Sequence, residues 1–186
     1  MIGYALTGSF CTISKSIEIM KNLVANGNDI LPIMSENAYS ISTRFGDATK
    51  IREQISNICK REIIHTIEGA EPLGPSIKLD ALIIAPCTGN TLSKIANGIT
   101  DTAVCMASKA HLRNNRPLII TLATNDGLSG NLKNIATLLS KKNVYFTPMV
   151  QDDPVNKPHS LVADFDLIEM SLENALIGKQ ITKIFI

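Results

Sequence analysis

The sequence predicts an α/β fold, a Rossmann-like doubly wound, mostly parallel sheet in three layers, and three observations carry that expectation. Short apolar runs rich in Ile, Leu and Val alternate with longer amphipathic stretches, the pattern of right-handed strand-helix-strand crossovers that place helices on both faces of a sheet. The runs are apolar nearly throughout rather than at every second position, as strands buried on both faces are. The turns that follow several of them are small and polar, the composition expected where an open parallel sheet binds ligands at the carboxyl ends of its strands.

In order along the chain, six runs are strand candidates: "IGYAL" (2–6), "DILPIM" (29–34), "EIIHTI" (62–67), "ALIIAP" (81–86), "PLIITLAT" (117–124) and "NVYFTP" (143–148). Between them, Ile13, Ile17, Met20 and Val24 keep helical spacing up to Gly27, and Ile51, Ile55, Ile58 and Cys59 do so between Asp47 and Lys60. Leu132, Ile135, Leu138 and Leu139 form a third stripe. Pro148, Pro154 and Pro158 mark residues 148–160 as a proline-rich extended arm without regular structure. Beyond it, Leu161, Phe165, Ile168, Leu172, Leu176 and Ile177 predict a C-terminal helix over 160–177, stopped by Gly178. The closing "IFI" has the composition of an edge strand. No repeat, low-complexity tract or linker interrupts the chain, so residues 1–186 are expected to form a single domain.

Composition excludes several classes. With 18 basic and 17 acidic side chains scattered along the chain, there is no electrostatic footprint for nucleic acid. Apolar residues make up 45% of the chain, yet none of the runs approaches the ~18 residues of a membrane span. The chain opens directly on a strand-like run rather than a secretory leader, so the expected location is the cytoplasm. Cys11, Cys59, Cys87 and Cys105 contain no C-x-x-C pair and the three histidines are scattered, which argues against a zinc site or a disulfide framework.

Four strand-to-helix turns stand out: Thr7-Gly8-Ser9, Ser35-Glu36-Asn37, Thr88-Gly89-Asn90-Thr91 and Thr124-Asn125-Asp126-Gly127. Any one of them is explained by a helix N-cap, for which a single side-chain oxygen suffices. Four at one sheet edge, each with more polar groups than a cap needs, point to a phosphate-bearing cofactor. The spacing of Gly3 and Gly8 lacks the Lys-Ser/Thr that completes a nucleoside-triphosphate loop, and the first turn lacks G-x-G-x-x-G, although Glu36 sits where a ribose-binding acid would lie. A mononucleotide held by hydroxyls and amides remains, with flavin mononucleotide as the common case.

At these residues the sequence resembles a known family. "ALTGS" before a helix and "APCTGNTLSKIANGITD" after a buried strand are similar to the flavoprotein family of homo-oligomeric flavin-containing cysteine decarboxylases. The resemblance implies an FMN site formed by Gly8, Ser9, Ser35, Pro86, Thr88, Asn90 and Thr91, with Asn125 kept from that family's motif after the fifth strand. "TRFGDA", "AEPLGP", "KLDALIIAPCTGN", "KAHLRNNRP", "TNDGL" and "QDDPVNKP" extend the likeness along nearly the whole chain to the dipicolinate synthase B-subunit family. That resemblance implies a role in sporulation, in the mother cell of a spore-forming bacterium: oxidation of dihydrodipicolinate or its tetrahydro precursor to pyridine-2,6-dicarboxylate. It further implies the dipicolinate synthase A subunit as the partner that brings NAD or NADP, and a homo-oligomer based on trimers that the 148–158 arm could help to assemble.

Two departures from the decarboxylases bear on chemistry. Their catalytic histidine has no counterpart, since Ala70 to Pro75 fill its place and His65 lies too early; their P-x-M-N motif is replaced by Thr124-Asn125-Asp126-Gly127. A dicarboxylate substrate calls for a cation, and Arg44, in a glycine-bearing turn segment, is the first candidate, with a solvent-exposed arginine as the plain alternative. Asp126 is the acid/base candidate, set against a turn aspartate. His111 and His159 read as isolated histidines and Cys87 as a packing residue. Three functions remain open on the residues: one component of an oxidoreductase, a stand-alone FMN-dependent decarboxylase, and a non-catalytic scaffold with a vestigial flavin pocket.

Overall fold

Five of the six expected strands form in the computed structural model, which describes all 186 residues. They are β1 (Ile2–Leu6), β2 (Ile30–Met34), β3 (Ala81–Cys87), β4 (Leu118–Thr124) and β5 (Val144–Phe146), mutually parallel wherever they pair. β1, β2 and β3 are buried at every position, which is why their sequences do not alternate. Successive residues still face opposite layers. Leu82 and Ile84 join the core on one side while Ala81, Ile83 and Ala85 join the core on the other.

Two further strands, β6 (Met149–Val150) and β7 (Leu161–Ala163), complete a mixed, mostly parallel sheet of seven in the order β2-β1-β3-β4-β7-β6, with β5 also on β4. β7 runs antiparallel to both β4 and β6. On one face lie α1 (Ile13–Ala25), α3 (Ala48–Cys59) and α8 (Ile168–Leu176); the opposite face is covered by α5 (Gly89–Ala96), α6 (Ala103–Leu112) and α7 (Leu132–Leu139). The short helices α2 (Glu36–Ser40) and α4 (Ile67–Ala70) fill connections. α3 keeps the bounds expected from its spacing: Asp47 accepts from the Lys50 amide at its start, and Lys60 takes the left-handed conformation that ends it.

Three expectations are corrected. Residues 62–67 make only one bridge, Ile64 to Ile33, because Thr66 turns the chain away by capping α4 through its contact with the Gly69 amide. The arm is not wholly irregular, since β6 lies within it, and it folds back on its own chain. The stripe expected as one helix over 160–177 is divided: Leu161 to Ala163 are a strand, and Asp164, accepting from the Asp166 amide, starts a 3-10 turn (Phe165–Leu167) that leads into α8. Leu161 and Phe165 are four apart, which suits a helix, but period-2 pairing against the end of β4 wins at the first of them. The closing "IFI" contributes a single bridge from Phe185 to Met149.

Tyr4 ties the layers together beneath the carboxyl edge of the sheet. Its side chain is completely buried, and its hydroxyl lies 3.0 Å from Ser16 Oγ and 3.1 Å from the Ser16 carbonyl of α1, while Ser16 Oγ donates to the Ala85 carbonyl of β3. Tyr4→Phe should lower stability by about 1 kcal/mol, the net worth of a buried neutral hydrogen bond. Urea unfolding would show this as a lower midpoint at unchanged slope, and an unchanged midpoint would mean that the hydroxyl contributes nothing.

Candidate functional site

The chain passes from β1 outward to β2 and then crosses back to β3 on the other side of β1. The reversal leaves a crevice between the carboxyl ends of β1 and β3, the usual ligand position in such sheets. A cavity of about 490 Å³ occupies it, within the ~300–1,000 Å³ of small-molecule sites. Gly8, Ser9, Cys11 and Thr12 come from the turn after β1, Thr88, Gly89 and Asn90 from the turn after β3, and Thr124, Asn125 and Asp126 from the turn after β4. Asp152, Lys157 and Ser160 of the arm, with Val162 of β7, close the fourth side. Only three of the fifteen lining residues are apolar, so a polar ligand fits.

Thr7, 1% exposed, fixes two of these turns relative to each other. Its Oγ1 donates to the Pro86 carbonyl at 2.8 Å and accepts from the Thr88 amide at 2.9 Å. Thr88 in turn caps α5: its Oγ1 accepts from the Thr91 amide and donates to Thr91 Oγ1. Asn90 takes no part in the cap, and its side chain, like those of Ser9 and Asn125, lines the cavity without a hydrogen-bond partner in the chain. The first amides of α5, at Gly89 and Asn90, lack intrahelical partners as in any helix.

Gly89 is required by close approach. A Cβ there would lie 2.5 Å from both Asn131 Nδ2 and Thr124 Oγ1 and 2.8 Å from Asp126 Oδ1. Those three side chains form one network. Thr124 Oγ1 donates to Asp126 Oδ1 at 2.5 Å, Asn131 Nδ2 reaches both Asp126 oxygens at 2.9 and 2.8 Å, and Asn134 donates to Asn131. Partial burial works to raise the Asp126 pKa, but the hydrogen bonds from Thr124 and Asn131 outweigh it and hold the carboxyl below the ordinary carboxylate range. It is therefore an ionised acceptor whose geometry is spent on shaping the turn.

The structure gathers six of the ten residues singled out from sequence around this cavity: Gly8, Ser9, Thr88, Asn90, Asn125 and Asp126. Ser35 instead caps α2, accepting from the Ala38 amide, although neighbouring Asn37 packs near Gly8. Pro86 supplies the carbonyl that Thr7 holds, and Thr91 is buried in the cap of α5. Arg44 does not line the cavity; its guanidinium stands 4.8 Å from the centre of the Phe45 ring. His65 stacks on Tyr39 at 3.7 Å, buried His111 bonds the Pro117 carbonyl, and His159 is exposed on the arm between Lys157 and Ser160, its carbonyl accepting from the Leu128 amide; none of the three is among the residues that line the cavity. Burial pushes the Cys87 thiol far up, in keeping with a packing role. Asp152, Lys157 and Ser160 were not expected, because proline spacing alone marks their segment as loop; the pair of charges inside it was the available signal.

Two outcomes follow for the network. Gly89→Ala should destabilise the chain by about 1–3 kcal/mol, the usual cost of overpacking, measured by chemical unfolding; a neutral change would show the network to be loose. Because the Asp126 pKa is depressed on folding, its stabilisation is full above the unfolded carboxyl value near 4 and is lost as pH falls through the folded value. The stability gap between the wild-type chain and Asp126→Asn should thus be constant from about pH 7 to 5 and close below about pH 4. A gap that widened on acidification would contradict this assignment.

The family model described as Flavoprotein matches residues 1–170. The B subunit of dipicolinate synthase from Bacillus subtilis (strain 168) is 43% identical over 185 residues, covering 100% of this chain and 92% of the relative. The crystal structure of the B subunit of dipicolinate synthase from Bacillus halodurans superposes with a TM-score of 0.91 at 39% identity, over 100% of this chain and 95% of that one. An FMN-dependent cysteine decarboxylase shares the fold at a TM-score of 0.68 and 18% identity, over 94% and 95% of the two chains. Similar along its whole length to dipicolinate synthase B subunits and matched by the family model over its first 170 residues, the chain belongs to the Flavoprotein family.

Proposed function

We propose that the chain is the B subunit of a dipicolinate synthase. With an NAD(P)-binding A subunit it would oxidise dihydrodipicolinate, or its tetrahydro precursor, to pyridine-2,6-dicarboxylate during sporulation. The observation that carries this reading is the polar cavity at the β1/β3 crevice, with Ser9, Asn90 and Asn125 presenting uncommitted side chains, in a chain so similar to B subunits from end to end. The family includes enzymes, flavin prenyltransferases and decarboxylases among them, and the absence of histidine from the residues lining this cavity sets the chain apart from the decarboxylase pattern.

The donor set suits flavin mononucleotide: Gly8 leaves room for close backbone approach, Ser9, Asn90 and Asn125 offer free polar groups, and the first amides of α5 favour an anion. Flavin bound there would supply a two-electron acceptor; NAD or NADP would come with the A subunit. Thr7 and Thr88 keep the two walls in register, Asp126 orients the turn after β4, and the arm forms the outer wall of the cavity. At neutral pH Asp126 is a positioning residue rather than a proton donor, because its carboxyl is held ionised. No helix of the structure is long and apolar enough to cross a membrane, and the cytoplasm of the mother cell belongs to the same proposal. A trimer-based homo-oligomer does as well; one neighbour of this fold is a dodecameric FMN-dependent decarboxylase.

The test is the visible absorption spectrum of the purified chain, alone and after addition of FMN or NADP. Bound-flavin bands are expected with FMN, and Asn90→Ala should weaken that binding at least ~10-fold, roughly 1.4 kcal/mol. A colourless protein that ignores FMN would overturn the cofactor assignment, and an Asn90→Ala variant with unchanged affinity would remove that turn from the site.

A further inference from the structure

A dicarboxylate in this cavity needs a cation, and Arg44 is elsewhere. Among the fifteen lining residues there is one cationic side chain, Lys157, and it comes from the arm. Its Nζ donates to Asp152 Oδ2 at 3.0 Å, and both side chains line the cavity. The segment that carries them is braced independently of this pair: the Lys157 amide donates to the Asp153 carbonyl, Asn156 bonds the Asp153 carboxylate through both its amide and its side chain, and Gln151 donates to the Pro158 carbonyl. Leu128 and Ser160 then anchor the segment to the turn after β4, through the His159 and Thr124 carbonyls. The ion pair is therefore not needed to hold the arm in place. Lys157 remains 56% exposed and Asp152 33% exposed, and an ion pair that open to water is weak. A ligand carboxylate can replace Asp152 at little cost, while the rest of the cavity wall offers only hydroxyls, amides and the acid Asp126.

We propose that Lys157 is the specificity-determining residue for the substrate, receiving one carboxylate of a small dicarboxylic acid, and that Asp152 holds the ammonium in place until that ligand displaces it. The inference rests on the B-subunit reading proposed above and places the dicarboxylate in the same cavity as the flavin. The other oxyanion at hand is the phosphate of the cofactor; Lys157 comes from the arm and not from the strand-to-helix turns whose free amides suit a phosphate, which favours the substrate.

Calorimetric titration of the full chain with pyridine-2,6-dicarboxylate, with and without FMN, tests this, alongside parallel titrations with FMN and riboflavin. Lys157→Met should weaken dicarboxylate binding at least ~10-fold with FMN affinity unchanged, Lys157→Arg should restore most of it, and Asp152→Asn should bind at least as tightly as wild type. If both Lys157→Met and Asp152→Asn weaken binding alike, the pair is a strut and the proposal fails. It fails too if Lys157→Met binds the dicarboxylate normally, or loses affinity for FMN but not riboflavin, which would give the lysine to the phosphate. A wild-type chain that binds FMN but no dicarboxylate overturns the lysine's role alone; one that binds neither overturns the site reading with it.

Discussion

One buried threonine sets the geometry on which the site depends. Thr7 directly follows β1, and its hydroxyl donates to the Pro86 carbonyl near the end of β3 and accepts from the Thr88 amide in the turn beyond it. The two turns belong to neighbouring strands, with 79 and 81 residues separating the bonded pairs in sequence, and the Thr7 amide adds a further bond to the same Pro86 carbonyl. Because the hydroxyl is buried, both of its bonds matter: a donor or acceptor left unpaired there would cost about 1–3 kcal/mol. The same bonds that stabilise the carboxyl edge therefore hold the cavity walls at a fixed separation.

The cavity is assembled in tiers of rising exposure. At its base, Tyr4, Ser16 and Ala85 lock β1, α1 and β3 together within the core. Above them, threonines cap and clamp the turns, and the Asp126 network presses so closely on Gly89 that no side chain fits there. The outermost tier is the arm, which reaches the site through β7 pairing on the free upper edge of β4, where β5 stops short. Charge is distributed accordingly. The inner tiers carry hydroxyls, amides and one ionised acceptor, and the only cation stands on the most exposed tier, where desolvating it is cheapest.

This division explains what is readable in the chain. Strands covered on both faces must be apolar at every position, so β1, β3 and β4 announce themselves as runs; amphipathic helices such as α1 and α3 must keep one apolar stripe, so they appear as spacing. The turn residues Gly8, Ser9, Thr88, Asn90, Asn125 and Asp126 are legible because a parallel sheet sends all its strand-to-helix turns to one edge. Ser35, Pro86 and Thr91 carry the same residue chemistry, but their polar groups are consumed locally by caps and by Thr7, which composition does not reveal. Arg44 suggests itself by charge type alone, and its partner is the adjacent Phe45 ring.

By itself, then, the sequence determined the α/β class, the order of the main strands and helices, and the edge at which a polar ligand would sit, since each of these follows from local periodicity and from the handedness of crossovers. Tertiary structure alone decided which hydroxyls stay free, that residues 161–163 are a strand rather than the start of a helix, and that Asp152 and Lys157 lie over a cavity whose floor is built from residues 2–126. Those outcomes depend on pairings between segments far apart in the chain, and a short strand or a free side chain is specified by its partner's position rather than by its own neighbours.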